Sequence, residues 1–215
     1  QRDREICETI IKEKLDITLL CNCRIGMVKK DMLQLMKQAG CHYIKTGVES
    51  GNDNILRAAK KGITTKQTEE FFRWTNEIGI DTHAHCMLGM PEDTIETINE
   101  TIEFVKKINP TTATFGICSP YPGSKLFEIV EKKYPEIKDG SSTDLSVLHT
   151  RGLFNDLYCS ASLEQLPQLV KKAYFKFYMR PSYFLKTFKR IRNLDDFKRF
   201  WRAGKNIIDF SIRGE

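Results

Sequence analysis

No stretch of this 215-residue chain approaches the roughly 18 consecutive apolar residues of a membrane-spanning helix, and Gln1-Arg2-Asp3-Arg4-Glu5 has none of the apolar character of a secretory signal. Both absences lead to the expectation of a cytoplasmic protein without a membrane span. An even cysteine framework is also missing. The seven cysteines, Cys7, Cys21, Cys23, Cys41, Cys86, Cys118 and Cys159, are scattered through apparent strands and helices, so they read as reduced thiols rather than a secreted disulfide scaffold. No low-complexity linker interrupts the chain. At 40% apolar composition it can bury a sizeable core as one domain, or one domain plus an appendage.

The formal charge of +6 is unevenly distributed. Residues 170–205 hold twelve Lys or Arg against Asp195 and Asp196, so the excess belongs to the tail and the remainder is net acidic. These charges interleave with Phe184, Leu185, Phe188, Ile191, Phe197, Phe200 and Trp201. That pattern favours a docked amphipathic helix pair over a nucleic-acid or lipid surface, and nucleic acid is not an expected partner.

Apolar periodicity gives the order of elements. Arg4–Leu15 reads as a helix with Ile6, Ile10 and Ile11 on one face, and Asp16–Cys23 reads as a strand. Val28, Met32, Leu35, Met36 and Ala39 mark a helix that Gly40 ends, and the strand Tyr43–Glu49 follows. Asn52–Lys60 is helical; Thr64 and Gln67 form a capping box for a helix that buries Phe71, Thr75 and Ile78. Ile80–Leu88 is the third strand, and the stripe Ile95, Ile98, Ile102, Val105 and Ile108 marks the next helix. Thr111–Cys118 is the fourth strand, Pro120–Gly123 a turn and Ser124–Lys133 a short helix. Residues 135–160 look irregular, and a helical tail begins behind Ser162. Strand and helix thus alternate four times at roughly 35-residue spacing, the signature of right-handed βαβ units in a parallel sheet or barrel. Four strands are too few to close a barrel, and a parallel array this short leaves an edge exposed to self-association.

Chemistry in parallel α/β folds gathers at the carboxyl ends of strands. The candidates there are Cys21, Asn22, Cys23 and Arg24, then Glu49, then His83 and His85, then Cys118 and Ser119. Glu49 taken alone reads equally well as a solvated loop charge beside a helix cap. His83 and His85 share a face, as do Cys21 and Cys23, and such groups can bind zinc, although buried cysteines and a strand His-x-His are more often packing residues. Gly89-Met90-Pro91-Glu92-Asp93-Thr94 turns strand into helix, where free backbone N–H groups can hold an anion. Tyr121-Pro122-Gly123-Ser124 reads as a turn with a helix cap.

Taken together in order and spacing, these pieces resemble the later part of a radical S-adenosylmethionine enzyme. Gly47-Val48-Glu49-Ser50-Gly51, followed by Asn52–Leu56 and Lys60-Lys61-Gly62-Ile63-Thr64, resembles the family's fourth strand and helix. Gly89–Thr94 resembles its Gly-Leu-Pro-Gly-Glu-Thr turn after the fifth strand, with Glu92 in place of the glycine and Asp93 in place of the glutamate. Pro120-Tyr121-Pro122-Gly123-Ser124 resembles the Pro-x-Pro-Gly-Thr after the sixth strand, and Arg4–Arg24 the preceding helix and third strand. The tail segment Phe175–Pro181 is similar to Arg-Phe-Tyr-Leu-Arg-Pro of the cobalamin-dependent subgroup, which includes the anaerobic magnesium-protoporphyrin monomethyl ester oxidative cyclases.

The resemblance implies a partial parallel (β/α) TIM-like barrel, strands three to six, over residues 1–134, with an irregular segment and basic amphipathic helical extension over 135–215. It implies S-adenosylmethionine as a cofactor, with Glu49 on its ribose or amino acid part, Lys61 near its carboxylate, and His85 and Met87 along its adenosine side; Arg24 and Asn22 are further candidates. A 4Fe-4S cluster would cleave it to a 5′-deoxyadenosyl radical that abstracts hydrogen from a small-molecule substrate, in oxidative cyclase or methyltransferase chemistry. The family's Cys-x-x-x-Cys-x-x-Cys does not occur here, so the expectation is a carboxyl-terminal fragment, inactive alone, whose missing amino-terminal part holds the cluster and any cobalamin domain. Two other readings stand beside it: a metal-dependent barrel hydrolase using His83 and His85, and a non-catalytic binding module with a basic tail.

Overall fold

The computed structural model describes residues 1–137, 154–188 and 194–213. Most of the irregular segment expected at 135–160 and Ile191 of the tail lie outside the described residues. Four parallel strands run in the order β1-β2-β3-β4: β1 (Leu19–Asn22), β2 (Cys41–Glu49), β3 (Asp81–Leu88) and β4 (Thr112–Ile117). Helices α1 (Arg2–Lys12), α2 (Lys30–Gln38), α3 (Asp53–Ala58), α4 (Thr65–Ile78), α5 (Ile95–Ile108), α6 (Lys125–Lys133), α7 (Gln165–Tyr178), α8 (Pro181–Phe188) and α9 (Leu194–Arg213) complete the described elements. Sequential strands that pair in parallel, each return made through helix, are the βαβ arrangement expected from the sequence. Among the described residues no helix is long and apolar enough to cross a membrane.

By compactness the chain divides into two units, Gln1–Cys86 with Glu103–Thr114, and Met87–Ile102 with Phe115–Glu215. The first is organised by the two faces of its sheet. Ile44, Thr46, Val48, Thr82, Ala84, Cys86 and Ala113 are each at most 2% exposed, on the face that α2 packs against through Leu33 and Met36. Alternation then turns Tyr43, Lys45, Gly47, Glu49, Asp81, His83, His85, Thr112 and Thr114 to the opposite face, where none is buried. A polar stripe on alternate positions is thus written into β2, β3 and β4. Burying Phe71 and Phe72 of α4 contributes on the order of 1.5–3 kcal/mol each. The Thr64–Gln67 capping box starts that helix as expected.

Three local expectations are corrected. Strand β1 is four residues rather than eight, and α1 buries Cys7 while Ile6 and Ile11 stay 48% and 37% exposed. In α2 the deepest residue is Leu33, which the expected stripe passed over.

Strand β1 is an edge, and Leu20 on it is 52% exposed. An open edge with an exposed leucine is a template for another chain. Residues 1–215 on their own are therefore expected to self-associate through β1, and Leu20→Lys to return them to monomer in light scattering. A wild-type chain that remains monomeric at high concentration would contradict this.

The second unit centres on α7, which buries Leu166, Leu169, Val170, Ala173, Phe177 and Tyr178. Phe115 of β4 meets Tyr174 and Phe177 edge to face at 5.4 and 6.2 Å. Within the Phe175–Pro181 motif, the Arg180 guanidinium lies over the Phe177 ring at 4.3 Å, and burial lowers its pKa. Helix α9 packs along α7, yet much of the apolar surface of the tail stays uncovered. Phe184, Leu185, Phe188, Phe197 and Trp201 are between 44% and 69% exposed, with Phe197 and Trp201 stacked on each other.

Candidate functional site

In the first unit, β2 ends by turning its last residue out of register. The pairing with β3 shifts between Gly47 and Glu49, and Glu49 takes φ +62°, a left-handed conformation that non-glycine residues seldom adopt. The turn folds the carboxylate back over Gly47. A Cβ there would lie 2.4 Å from Glu49 Oε1 and 3.0 Å from Lys61 Nζ, so a side chain at this position would push the two charged ends aside. Lys61 Nζ meets Glu49 Oε1 at 2.6 Å, with the two side chains 30% and 19% exposed. Glu49 is therefore not a solvated loop charge. The helix cap is Asn52, whose side chain accepts from Asn54 N and Ile55 N.

Lys61 is itself held by its neighbours. Its amide donates to Leu56 O at 3.0 Å, and Arg24 Nη2 donates to its carbonyl at 2.6 Å. Arg24 thus reaches the pair through the Lys61 backbone. Asn22 pairs with Lys45 in the β1–β2 register, is exposed, and makes no side-chain hydrogen bond among the described residues. Met87, near the end of β3, belongs to the second unit; it is half-buried, its sulfur facing Gly116.

His85 sits on the same face as Glu49, exposed, its ring 4.3 Å from that of His83. His83 Nδ1 bonds Thr112 Oγ1 at 2.6 Å and Nε2 bonds Thr114 Oγ1 at 3.1 Å, while His85 Nδ1 bonds the same Thr114 hydroxyl at 2.9 Å. Tyr43 OH bonds Thr112 Oγ1 at 2.6 Å. Burial, then His85 and Lys45, push the His83 pKa down to about 4; burial outweighs the opposing pull of Glu49 and lowers that of His85. Both rings are neutral at pH 7.

A depressed imidazole has a stability consequence of definite sign. The unfolded chain takes up this proton near pH 6.5 and the folded one only near 4, so the stabilisation is whole above pH 6.5 and declines as pH falls toward 4. Discounted for the ring's partial exposure, about 1–2 kcal/mol is at stake. His83→Gln is expected to remove that share of the acid sensitivity, read as the difference in urea midpoint between pH 7 and pH 4.5. An unchanged difference would contradict the assignment.

The zinc reading of His83 and His85 is not met. Three of their four ring nitrogens are occupied by threonine hydroxyls, and no group of three or more metal-ligating side chains occurs among the described residues. Cys21 turns to Cys41, sulfur to sulfur 3.8 Å. Burial pushes the Cys23 thiol up to about 11 and the Cys41 thiol up to about 12.

In the second unit the Gly89–Thr94 turn is closed to anions. Met90 N donates to Asp93 Oδ2, Glu92 N to Tyr158 O, Asp93 N to Met90 O and Thr94 N to Thr97 Oγ1. Asp93, 1% exposed, supplies the negative group itself, and Thr97 Oγ1 donates to its other oxygen at 2.6 Å. Glu92 adopts φ +67° where the resembled motif has glycine. Asn155, wholly buried, donates from Nδ2 to Gly89 O at 3.0 Å and Cys118 O at 2.6 Å, pinning the residues that follow β3 and β4. Ser124 caps α6, as the plain reading of that turn required.

Of the residues singled out from the sequence, Glu49, Lys61 and His85 lie at this face, whereas Tyr43, Lys45, Thr112, Thr114 and Asn155 were not singled out. Counting by twos from Glu49 would have found Lys45 and Tyr43, and the polar alternation of Thr112 and Thr114 was equally visible.

Comparison with known proteins adds relatives to this geometry. Residues 1–105 match the Radical SAM superfamily profile. The chain is 30% identical over 188 residues to an uncharacterized methyltransferase of Pyrococcus horikoshii, covering 86% of this chain and 39% of that protein. It is 29% identical over 126 residues to the anaerobic magnesium-protoporphyrin IX monomethyl ester cyclase of Rubrivivax gelatinosus, covering 58% and 23%. The chain thus spans well under half the length of either relative. Among solved structures, the cobalamin-dependent S-adenosylmethionine radical enzyme OxsB with aqua-cobalamin bound aligns with 98% of this chain and 36% of its own, at TM-score 0.57 and 14% identity, a likeness of fold alone.

Proposed function

We propose, from the premise that this chain belongs to the radical S-adenosylmethionine superfamily through residues 1–105, that the polar face of its sheet binds S-adenosylmethionine. The observation that carries this reading is the Glu49–Lys61 pair set over Gly47 at the end of β2. Its two opposite charges suit the α-ammonium and α-carboxylate of an amino acid, which can exchange with the internal pair at little electrostatic cost. Arg24 fixes Lys61 from behind. Asn22 and His85 border the ligand.

The cysteines of this chain do not fit an iron–sulfur cluster. They lack the ligand spacing, and burial holds Cys23, Cys41 and Cys86 as protonated thiols. The cluster and any cobalamin therefore belong to residues outside those given, which accords with the share of the relatives that the chain spans. When bound, the cluster supplies the electron that cleaves S-adenosylmethionine, and these residues bind and orient that molecule. The intact protein then acts on a small-molecule substrate in methyltransferase or oxidative-cyclase chemistry.

Anaerobic incubation with a strong reductant tests this. The intact protein is expected to convert S-adenosylmethionine to 5′-deoxyadenosine, and residues 1–215 alone to hold no iron and release none. An intact protein that leaves S-adenosylmethionine unchanged would overturn the reading.

A further inference from the structure

We propose that Tyr43, Thr112, His83, Thr114 and His85 form one proton relay across β2, β3 and β4, ending at His85 Nε2 as the acid–base group offered to a substrate on the open face. The four links measure 2.6, 2.6, 3.1 and 2.9 Å in that order. Every inner member uses two atoms or one shared hydroxyl, so the chain is continuous from a phenol to an imidazole. His85 Nε2 has no hydrogen-bond partner among the described residues. The relay runs from His85, the partner of Gly47 beside the strand end where Glu49 stands, to Tyr43 near the start of β2.

A hydroxyl has one proton, and this fixes the polarity. In one direction Tyr43 donates to Thr112, Thr112 to His83 Nδ1, His83 Nε2 to Thr114 and Thr114 to His85 Nδ1, leaving His85 Nε2–H as a donor. In the other, every bond reverses and His85 Nε2 becomes an acceptor. Taking a proton at that nitrogen moves the Nδ1 proton of His85 to Thr114, the Thr114 proton to His83 Nε2, the Nδ1 proton of His83 to Thr112 and the Thr112 proton to Tyr43, whose own proton leaves to water. One proton enters and one departs. Replacing a substrate C–H or N–H by a methyl group from a sulfonium releases one proton, so the relay suits that class of reaction, and in this it rests on the proposed function.

The relay demands that both imidazoles carry the same tautomer, or the same mixture of the two. If instead both rings donate to the Thr114 hydroxyl, His83 is protonated on Nε2 and His85 on Nδ1, and no proton passes. Nitrogen-15 spectra of the wild-type chain at pH 7, with the two rings assigned through the backbone, distinguish these cases without S-adenosylmethionine. Failure here is thus separable from failure to bind it. Equal tautomer fractions in His83 and His85 are expected, unlinked in Thr114→Val and relinked in Thr114→Ser. Opposite tautomers in the wild type, or fractions that Thr114→Val leaves equal, would overturn the relay.

Discussion

Replacing Glu49 by Gln in the intact protein is expected to weaken S-adenosylmethionine binding ten- to hundred-fold while leaving the fold in place. Gln keeps the shape of the side chain and its acceptor oxygen but removes the charge. A hydrogen bond to a charged group contributes about 1.5–3 kcal/mol, and each factor of ten in affinity is about 1.4 kcal/mol. The left-handed backbone at this position is no harder for Gln than for Glu, so the strain is unchanged. Lys61 loses its internal partner, but at 30% side-chain exposure it can turn to water. Calorimetric titration against wild type decides, with the melting temperature as the check on folding. Equal dissociation constants would leave the pair a structural contact.

Asn155→Ala is expected to cost the second unit about 2–4 kcal/mol. The side chain is wholly buried and supplies the donors for Gly89 O and Cys118 O. Leaving a buried acceptor without its donor costs about 1–3 kcal/mol. Tyr158 OH still donates to Cys118 O at 3.3 Å, and Asn155 Oδ1 has no partner to lose, so the sum is held below two full penalties. The left-handed Gly89 sits directly against Asn155, where a Cβ would lie 3.1 Å from Nδ2, so the cavity does not collapse without moving that turn. Urea unfolding of both proteins gives the difference. A loss below about 1 kcal/mol would mean that water replaces the amide without penalty.

The sheet was legible because alternation and helical stripes are local. Ile44, Thr46 and Val48 announce a buried face, and the same count places Glu49 and His85 on the other. The edges of elements were less legible, since β1 ends where its pairing with β2 ends, and that partner is distant in sequence. The face of α1 was misread because the tertiary partner selects Cys7 over Ile6 and Ile11, which periodicity alone ranks higher. The Glu49–Lys61 pair spans twelve residues and needs two left-handed positions, Glu49 and Lys60, before the side chains meet; the motif marked both residues without their contact. The anion site expected at Gly89–Thr94 failed for a related reason, because Asp93 Oδ2, Tyr158 O and Thr97 Oγ1 already accept from the Met90, Glu92 and Thr94 amides that a ligand would need. Asn155 had no signal at all. It lies beyond Gly89 and Cys118 in the chain and is tied to them only by folding.

Whether the Glu49–Lys61 pair opens to hold S-adenosylmethionine on the polar face of the sheet is tested most directly by a structure of the intact protein with that molecule bound. A Glu49 carboxylate oxygen is expected within about 3 Å of a ligand donor, a normal hydrogen-bond distance, with Lys61 turned toward the ligand carboxylate. S-adenosylmethionine bound elsewhere, with Glu49 and Lys61 still joined only to each other, would contradict it.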